Sequence, residues 1–325
     1  MPQIHRIPRW RLTDQPPTDE ALVLDRRSFV ATMGAAGVVL GGGLIGCDAS
    51  AAEPPPGADQ RPVPPGLYPA RRNAKYKLDR KLTQRDAVLQ YVNYYEFDAS
   101  NKPRAVELAQ KLTTHPWTVE VTGLVKKPKK FDIAELEKRF GLEERLYRHR
   151  CVETWAMAVP WTGFPLSKLL DAVEPLSGAK FVRFVTYMRP KEAPGQHPDS
   201  SYPWPYHEGL RMDEARNELT MLATGLFGKP LPKQNGSPIR LVVPWKYGYK
   251  SIKAIVKIEL VDKRPPTFWN TVKAAEYGFE SNVDPTVPHP RWSQAEEWMI
   301  DGGRTKKRPT LPYNGYGELV AGMYK

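Results

Sequence analysis

Cysteine and histidine are scarce in this sequence, and glycine motifs for binding nucleotide phosphates are missing from its body. The 325 residues include two cysteines and six histidines. The histidines have neither the paired spacing nor the neighbouring carboxylates that a zinc site needs. Glycine-rich stretches occur near the N-terminus, but none forms a Gly-x-Gly-x-x-Gly or Walker loop. The sequence therefore gives no support to a histidine zinc site, a Rossmann dinucleotide site or a P-loop.

One of the two cysteines, Cys151, lies in the body of the chain, whereas Cys47 lies near the N-terminus. Cys151 is flanked by Arg148 and Arg150, and His149 adds a third cation when it is protonated. Nearby cations favour the thiolate, which is the nucleophilic and metal-binding form of cysteine. The residues alone leave two alternatives, a reactive thiolate or an inert cysteine buried like a small hydrophobic residue.

The N-terminus carries the pattern of an export signal. Two arginines, Arg26 and Arg27, precede a weakly apolar, glycine-rich stretch at residues 29–46. This pattern predicts a twin-arginine signal peptide over residues 1–46. It indicates export to the periplasm in the folded state, as a protein that receives a cofactor before export requires. The alternative is an uncleaved membrane anchor, because the apolar stretch is near the length of a membrane span.

The end of the signal is ambiguous and falls between residues 46 and 52. Residues 49–51 form an ordinary small-residue cleavage site, Ala-Ser-Ala, which we favour. Residues 44–47 resemble a lipobox, in which Cys47 would carry a lipid anchor.

The rest of the chain is predicted to be a linker followed by one domain. Residues 47–81 are rich in proline and alanine, which predicts an extended and weakly ordered linker. Residues 82–325 contain neither repeats nor a second linker. Their mixed patterns predict a single strand-rich α+β domain.

Local patterns place several elements in this domain. Alternating apolar residues predict strands over residues 117–123, 181–187, 239–243 and 252–260, and the aromatic segment 90–97 is β-prone. Asp132 and Glu135 form a helix start that Gly141 ends, and residues 164–170 begin another helix. Ser293 and Glu296 predict a capped helix near the C-terminus.

Positive charge is concentrated in the body of the chain. The net charge is +12, and residues 1–46, with five arginines and four acids, contribute only one unit of it. Four cations surround a strand–turn–strand that also contains Gly248 and Ser251: Arg240, Lys246, Lys250 and Lys253. Basic side chains beside open backbone amides predict a phosphate or anion site, with an ordinary solvated edge as the alternative.

Three classes of function are compatible with these features. A cysteine hydrolase or transpeptidase would use Cys151 as nucleophile and His149 as base. A non-catalytic polyanion-binding protein would explain the charge but leave the thiol without a role. A cofactor enzyme would use Cys151 as a metal ligand and the basic stretch as a phosphate site, and it also accounts for export of a folded protein.

Several longer motifs resemble one known family. They include Arg-Cys-Val-Glu at 150–153, Val-Pro-Trp at 159–161, Gly-Phe-Pro-Leu at 163–166, Asn-Tyr-Tyr-Glu-Phe at 93–97, Gln-Asn-Gly at 234–236, Val-Pro-Trp-Lys-Tyr-Gly at 243–248, Arg-Pro-Pro-Thr at 264–267 and His-Pro-Arg-Trp-Ser-Gln-Ala at 289–295. Together they resemble the catalytic subunits of periplasmic protein-methionine-sulfoxide reductases, which are molybdopterin enzymes of the sulfite oxidase family. The resemblance spans about residues 82–320.

The resemblance implies the sulfite oxidase type of molybdopterin-binding fold and one Mo-molybdopterin. Cys151 would be the metal ligand, and Asn93 and Glu153 would face the metal as catalytic groups. The residues that would hold the cofactor are Asn93, Tyr95, Glu96, Thr186, Asn235, Arg240, Ser251, Ile252 and Lys253. Val92 stands where many relatives have a second Asn. Val152 and Glu153 replace the Ala-Gly-Asn-Arg that follows the cysteine in sulfite oxidases, which argues against sulfite as the substrate.

The function implied is reduction of methionine sulfoxide in oxidised periplasmic proteins by oxygen-atom transfer. A haem-containing membrane subunit would supply the electrons, and no nucleic acid would take part. The alternative within the same chemistry is a molybdopterin oxidoreductase that acts on small S- or N-oxides.

Overall fold

The computed structural model describes residues 61–325, so the predicted signal and the first part of the predicted linker lie outside the described residues. Seven α-helices are described: α1 (Arg85–Gln90), α2 (Lys102–Ala109), α3 (Ile133–Phe140), α4 (Leu166–Val173), α5 (Met212–Arg216), α6 (Phe268–Val272) and α7 (Gly317–Val320). Short 3-10 helices cover Pro194–Gln196, Lys233–Asn235, Gly248–Lys250, Pro312–Gly315 and Ala321–Tyr324. Among these residues, no helix is both long and apolar enough to cross a bilayer.

The twelve strands of the described chain form two sheets. They are β1 (Thr118–Gly123), β2 (Lys129–Asp132), β3 (Glu143–Arg150), β4 (Trp155–Pro165), β5 (Phe181–Thr186), β6 (His207–Arg211), β7 (Met221–Leu226), β8 (Lys229–Pro230), β9 (Arg240–Val242), β10 (Ile255–Val261), β11 (Glu296–Met299) and β12 (Lys307–Pro309). One sheet has the order β2-β1-β10-β5-β6. The other has the order β12-β11-β4-β7-β8, with β3 paired to β4 and β9 paired to β7. The predicted strand-rich α+β class is confirmed.

The five-stranded sheet consists largely of strands whose alternation is visible in the sequence. In β1 the residues alternate in burial, and Val119 and Val121 are fully buried. In β5 the same period buries Val182 and Phe184. Strand β1 runs parallel to β10, whereas the other pairs are antiparallel. One apolar face of this sheet therefore joins the common core.

The seven-stranded sheet is built around β4, whose first ten residues are all buried. Strand β3 pairs with it antiparallel over its full length, from Glu143 opposite Gly163 to Arg150 opposite Ala156. Residues 151–154 form the connection between these two strands. This tight hairpin places Cys151 at the end of β3, in the interior of the domain.

The helix start predicted at Asp132 is present, because the Asp132 side chain accepts a hydrogen bond from the Glu135 N–H at 2.7 Å. Helix α3 ends at Gly141, whose φ of 67° suits glycine. The C-terminal helix predicted from Ser293 and Glu296 is wrong. Residues 296–299 form β11 instead, because they pair with β4 on one side and β12 on the other.

The segment at residues 90–97 is not a strand, although its composition is β-prone. Helix α1 extends to Gln90, and the residues that follow form a turn with a single bridge between Tyr94 and Asp98. Tyr94 and Phe97 are buried, with their rings edge-on at 4.7 Å. The aromatic residues are therefore used for packing rather than for pairing.

Residues 61–81 pack against the domain, in contrast to the weakly ordered linker predicted there. Arg61 forms two hydrogen bonds with the buried Glu137 carboxylate, at 2.5 and 2.7 Å. The backbone N–H of Asn73 donates to Glu144 O at 2.8 Å, and Tyr76 packs edge-on against Tyr147. A buried bidentate ion pair fixes the chain that carries it, so ordered structure begins before residue 82.

Candidate active site

Cys151 lies in a strained loop at the wall of a large cavity. Its N–H donates to Trp155 O at 2.9 Å and its carbonyl accepts from the Thr154 N–H at 3.0 Å. Thr154 has a φ of 73°, an uncommon value for a β-branched residue. The thiol is 7% exposed. The tight loop turns the side chain of Cys151 into the cavity.

The cavity has a volume of about 660 Å³, in the range of sites that hold one cofactor or ligand. The sequence predicted eleven site residues, and ten of them line this cavity: Cys151, Asn93, Glu153, Tyr95, Glu96, Asn235, Arg240, Ser251, Ile252 and Lys253. The eleventh, Thr186, is buried beside the cavity wall, where its hydroxyl donates to Ala254 O at 2.8 Å. Thr186 therefore supports the chain that follows Lys253 and is not part of the lining.

Asn93 and Glu153 converge near the thiol and are joined by Lys102. Asn93 Nδ2 lies 3.7 Å from Cys151 Sγ, and the Glu153 N–H donates to the same sulfur at 3.5 Å. Lys102 Nζ donates to Asn93 Oδ1 and lies 3.1 Å from Glu153 Oε2. Trp155 Nε1 also donates to Glu153 Oε2, at 3.0 Å. The carboxylate and the amide are thus held in place around the sulfur.

The cations that flank Cys151 in sequence are paired with carboxylates elsewhere. Arg148 pairs with Asp79 at 2.8 Å, and the fully buried Arg150 pairs with Glu297 at 3.3 Å. Burial raises the pKa of the Cys151 thiol to about 12, and the Glu153 carboxylate adds to this increase. Of the two alternatives for Cys151, the buried thiol is the one that the protein alone favours, because burial outweighs the opposing effect of Lys102 and Arg150 on its pKa.

His149 lines the cavity but does not act on the thiol. Burial, together with Arg240 and Lys253, lowers the pKa of His149 to about 3, so its imidazole is neutral. No hydrogen bond joins its ring to Cys151 Sγ. A cysteine hydrolase needs a base within hydrogen-bond reach of a thiol that ionises readily. The geometry gives neither of these conditions.

Arg240 and Lys253 bring positive charge into the cavity wall, and neither is in direct contact with a carboxylate of the described residues. The Arg240 guanidinium donates to Asn235 O and Ser251 O, each at 2.9 Å. Lys253 Nζ donates to Asn93 O at 2.7 Å. Neither cation has a carboxylate oxygen within 4 Å among residues 61–325, although the buried Glu96 interacts electrostatically with Lys253, and burial lowers the pKa of each cation. Buried cations of this kind are stabilised by an anion in the cavity.

Lys246 and Lys250 were predicted to belong to the same anion site, and the structure separates them from it. Lys246 Nζ lies 2.6 Å from Glu214 Oε1 and Lys250 Nζ lies 2.6 Å from Glu208 Oε2. All four side chains are buried. Because each lysine is already neutralised by its own carboxylate, only Arg240 and Lys253 of the four cations face the cavity.

Comparisons with known proteins agree with this geometry. Residues 106–269 match the family model of the oxidoreductase molybdopterin-binding domain. The chain is 50% identical over 326 residues to a protein-methionine-sulfoxide reductase catalytic subunit MsrP of Burkholderia mallei (strain ATCC 23344), covering 98% of this chain and 93% of the relative. The chain belongs to the family of protein-methionine-sulfoxide reductase catalytic subunits.

A second family member and one solved structure are also similar. The same catalytic subunit of Xanthomonas axonopodis pv. citri (strain 306) is 45% identical over 311 residues, covering 94% of this chain and 93% of the relative. The sulfane dehydrogenase SoxCD of Paracoccus pantotrophus superposes with a TM-score of 0.39 at 22% identity, over 47% of this chain and 40% of that chain. The molybdopterin-binding domain implied by the sequence motifs is confirmed by the family match.

The residues of the cavity fit the Mo-molybdopterin that this family binds. Cys151 is the one thiol among the described residues, and sulfur is a soft ligand suited to such a centre. The charges of Arg240 and Lys253 match a phosphate. Asn235 Oδ1 is buried and has no hydrogen-bond partner within residues 61–325, although its Nδ2 donates to Val88 O. An unpaired acceptor of this kind is satisfied by a donor group of a bound ligand.

Sequence reasoning missed much of the cavity wall. Many of the missed residues are aromatic or basic: Tyr91, Trp155, Trp161, Tyr206, Tyr249, Trp269, Tyr277, Arg291, Trp292, Trp298, Arg304 and Lys307. The motif at residues 289–295 carried a signal for Arg291 and Trp292, because it was one of the stretches that resemble the family. Arg304 and Lys307 lie in a basic segment that had no recognisable pattern.

Proposed function

We propose that this chain is a periplasmic enzyme that reduces methionine sulfoxide residues in exported proteins. Its family membership supports a molybdenum-dependent methionine sulfoxide reductase. One observation carries the proposal: the one thiol of residues 61–325 opens into the same cavity as two buried cations that have no carboxylate oxygen within 4 Å among those residues. That arrangement suits a metal held by one protein sulfur and by a cofactor with a phosphate group.

When bound, the cofactor supplies two-electron oxygen-atom transfer, which converts a sulfoxide, two electrons and two protons to a thioether and water. Cys151 would bind the metal, and Arg240, Lys253 and Asn235 would hold the organic part. Asn93 Nδ2 is a hydrogen-bond donor that faces Cys151 Sγ at 3.7 Å and would also face a sulfoxide brought to this point. The positions of these side chains are set by the hairpin between β3 and β4.

Glu153 and Lys102 provide charged groups at the same point. Burial would raise the pKa of Glu153, but Lys102, Trp155 and Asn93 lower it overall, so the carboxylate stays ionised. Lys102 Nζ donates to both Asn93 Oδ1 and Glu153 Oε2. We assign Lys102 the role of orienting these two groups and of keeping positive charge beside them.

The aromatic walls suit the side chain that is repaired. Trp155, Trp298 and Tyr91 line the cavity, and Tyr91 meets the two tryptophans edge-on at 5.3 and 6.0 Å. Methionine sulfur makes favourable contacts with aromatic rings, and its oxidation adds a polar oxygen to an apolar side chain. Such a site accepts the apolar stem of methionine sulfoxide.

Location and electron supply are part of the proposal. The twin-arginine pattern at Arg26 and Arg27 supports export in the folded state, with lipidation of Cys47 as an alternative to release. The related proteins are named catalytic subunits, which supports a partner subunit. We propose that the partner is a haem-containing membrane protein, which the basic body of the chain meets at an anionic membrane surface.

The central test compares the wild-type enzyme with Cys151→Ser after native export. With a reduced viologen dye as electron donor and a peptide containing methionine sulfoxide, we expect turnover in the wild type and none in the variant. Metal analysis should give about one molybdenum per wild-type chain. Full activity in Cys151→Ser would refute the assignment of Cys151 as metal ligand. A wild-type protein that is metal-free and still active would instead favour a thiol nucleophile.

Substrate class, location and partner need separate measurements. A lower kcat/KM for the peptide than for dimethyl sulfoxide or trimethylamine N-oxide would favour a reductase of small S- or N-oxides. Replacing both Arg26 and Arg27 with lysine should retain the protein in the cytoplasm. Mass spectrometry of the mature N-terminus distinguishes cleavage from lipidation of Cys47. Mixing with the reduced membrane subunit and substrate should oxidise its haem, and a rate that is unchanged across a wide salt range would contradict electrostatic docking.

A further inference from the structure

Three basic side chains lie at the mouth of the cavity, and we call them the basic rim: Arg291, Arg304 and Lys307. Each of them lines the cavity and is exposed to solvent. They come from two segments near the C-terminus, one before β11 and one that leads into β12. They are distinct from Arg240 and Lys253, which are the cations that face the interior of the cavity, so the proposed cofactor site gives them no role.

Tryptophan rings hold two of the rim cations in position. The Arg291 guanidinium lies 4.9 Å from the ring centroid of Trp292, and the Arg304 guanidinium lies 5.3 Å from that of Trp298. Tryptophan is the best aromatic partner for a cation at this distance. Trp292 is itself stacked on His289, with ring centroids 3.8 Å apart and an angle of 8° between the planes. These aromatic contacts restrict the positions of the Arg291 and Arg304 guanidinium groups.

The same tryptophans are hydrogen-bonded to the loop that carries Cys151. Trp292 Nε1 donates to Val152 O at 2.8 Å, and the backbone N–H of Trp298 donates to Thr154 O at 3.1 Å. Val152 and Thr154 lie within three residues of the thiol on the loop between β3 and β4. The basic rim is thus fixed in position relative to the place where the sulfoxide would react.

The rim keeps an excess of positive charge. Arg291 pairs with Glu276 at 2.7 Å, and Lys307 lies 3.4 Å from Glu296 with both side chains more than half exposed. Arg304 has no carboxylate within 4 Å among residues 61–325. The Lys307–Glu296 pair is exposed and therefore weak, whereas the Glu276 side chain that pairs with Arg291 is only 13% exposed. The rim can therefore bind acidic groups brought by a ligand.

We propose that the basic rim binds aspartate and glutamate side chains that flank the oxidised methionine of a peptide substrate, so that the enzyme prefers acidic sequence contexts. A cavity of about 660 Å³ that also holds a cofactor admits a side chain and leaves the peptide chain at its mouth. The residues next to the methionine then lie over Arg291, Arg304 and Lys307. This inference rests on the proposed function and specifies its substrate class.

The first experiment compares three peptides that share one methionine sulfoxide and differ in two flanking residues, as Glu, Gln or Lys. The holoenzyme is assayed with a reduced viologen dye. We expect kcat/KM to be about 3- to 10-fold higher for the Glu peptide than for the Gln peptide, and lower still for the Lys peptide. Raising the salt concentration should reduce the advantage of the Glu peptide, because exposed charges are screened.

Variants locate the effect on the rim. Arg304→Glu should reverse the order of the Glu and Lys peptides. Lys306→Glu makes the same charge change two residues away, at an exposed side chain that does not line the cavity, and should keep the wild-type order. Equal kcat/KM for all wild-type peptides, or an unchanged order in Arg304→Glu, overturns this inference alone. Failure to reduce any of the peptides would instead count against the proposed function.

Discussion

Lys102 and Glu153 form an ion pair in which Nζ and Oε2 are 3.1 Å apart, and the same ammonium donates to Asn93 Oδ1. Lys102 is the first residue of α2, whereas Glu153 lies in the loop between β3 and β4. One side chain therefore orients two groups that face Cys151 Sγ. It does so from a part of the sequence in which no motif had been recognised.

Lys102→Met should lower kcat about 10- to 100-fold, the usual effect of removing a group that orients an active-site ligand. The amide and the carboxylate lose their shared partner, while Cys151, Arg240 and Lys253 remain in place. Steady-state assays with a methionine sulfoxide peptide measure the effect, and molybdenum analysis checks that the cofactor is retained.

Lys111→Met is the matched control, because Lys111 is exposed just after the same helix and does not line the cavity. Its kcat should equal that of the wild type. A Lys102→Met enzyme with wild-type kcat would show that Asn93 and Glu153 keep their positions without the ammonium.

The sequence was sufficient for features that depend on neighbours along the chain. Asp132 and Glu135 predicted the start of α3, and the alternating residues of β1 and β5 predicted two strands of the five-stranded sheet. Such patterns record which side of an element is buried. The motif around Cys151 predicted the metal-binding family, and the family match confirms the molybdopterin-binding domain.

Other features depend on partners that are distant in sequence. Strand β4 is one continuous buried stretch, so it lacks the alternation of apolar and polar residues that marks a strand in the sequence. It also contains Pro160, and proline is uncommon in a central strand. Residues 296–299 have a helical capping pattern but pair with β4 and β12. Long-range pairing overrides local propensity in such segments.

The four cations of the strand–turn–strand segment show that the site, too, depends on partners distant in sequence. Lys246 and Lys250 resemble Arg240 and Lys253 in spacing and in type. Their roles differ because Glu214, 32 residues before Lys246, neutralises that lysine, and Glu208 neutralises Lys250. Only the fold determines which cations remain available to an anion.

Arg240→Met should weaken retention of the cofactor. Removing a buried cation from a charge-assisted contact costs about 2 to 5 kcal/mol, so we expect at least a 30-fold loss of affinity. Molybdenum content per folded chain and the fluorescence of the released, oxidised pterin measure this loss. Arg240→Lys should retain part of the cofactor, because it keeps the charge without the guanidinium geometry.

Arg145→Met is the control for Arg240, because Arg145 is equally buried and pairs with Glu143 outside the cavity. It should lower stability and leave the molybdenum per folded chain unchanged. Full cofactor occupancy in Arg240→Met would contradict its assignment to the phosphate, whatever happens to the stability of that variant.

Lys246→Met should instead destabilise the fold. It leaves the carboxylate of Glu214 buried without its cation, with only the Tyr324 hydroxyl still donating to Oε1 at 2.7 Å. Breaking one side of a buried ion pair costs about 3 to 5 kcal/mol, which urea unfolding would measure. The double variant with Glu214→Gln should recover much of this free energy, because no buried charge remains unpaired. If Lys246→Met were as stable as the wild type, Glu214 would have to be neutral or in contact with water, which would contradict a buried ion pair with Lys246.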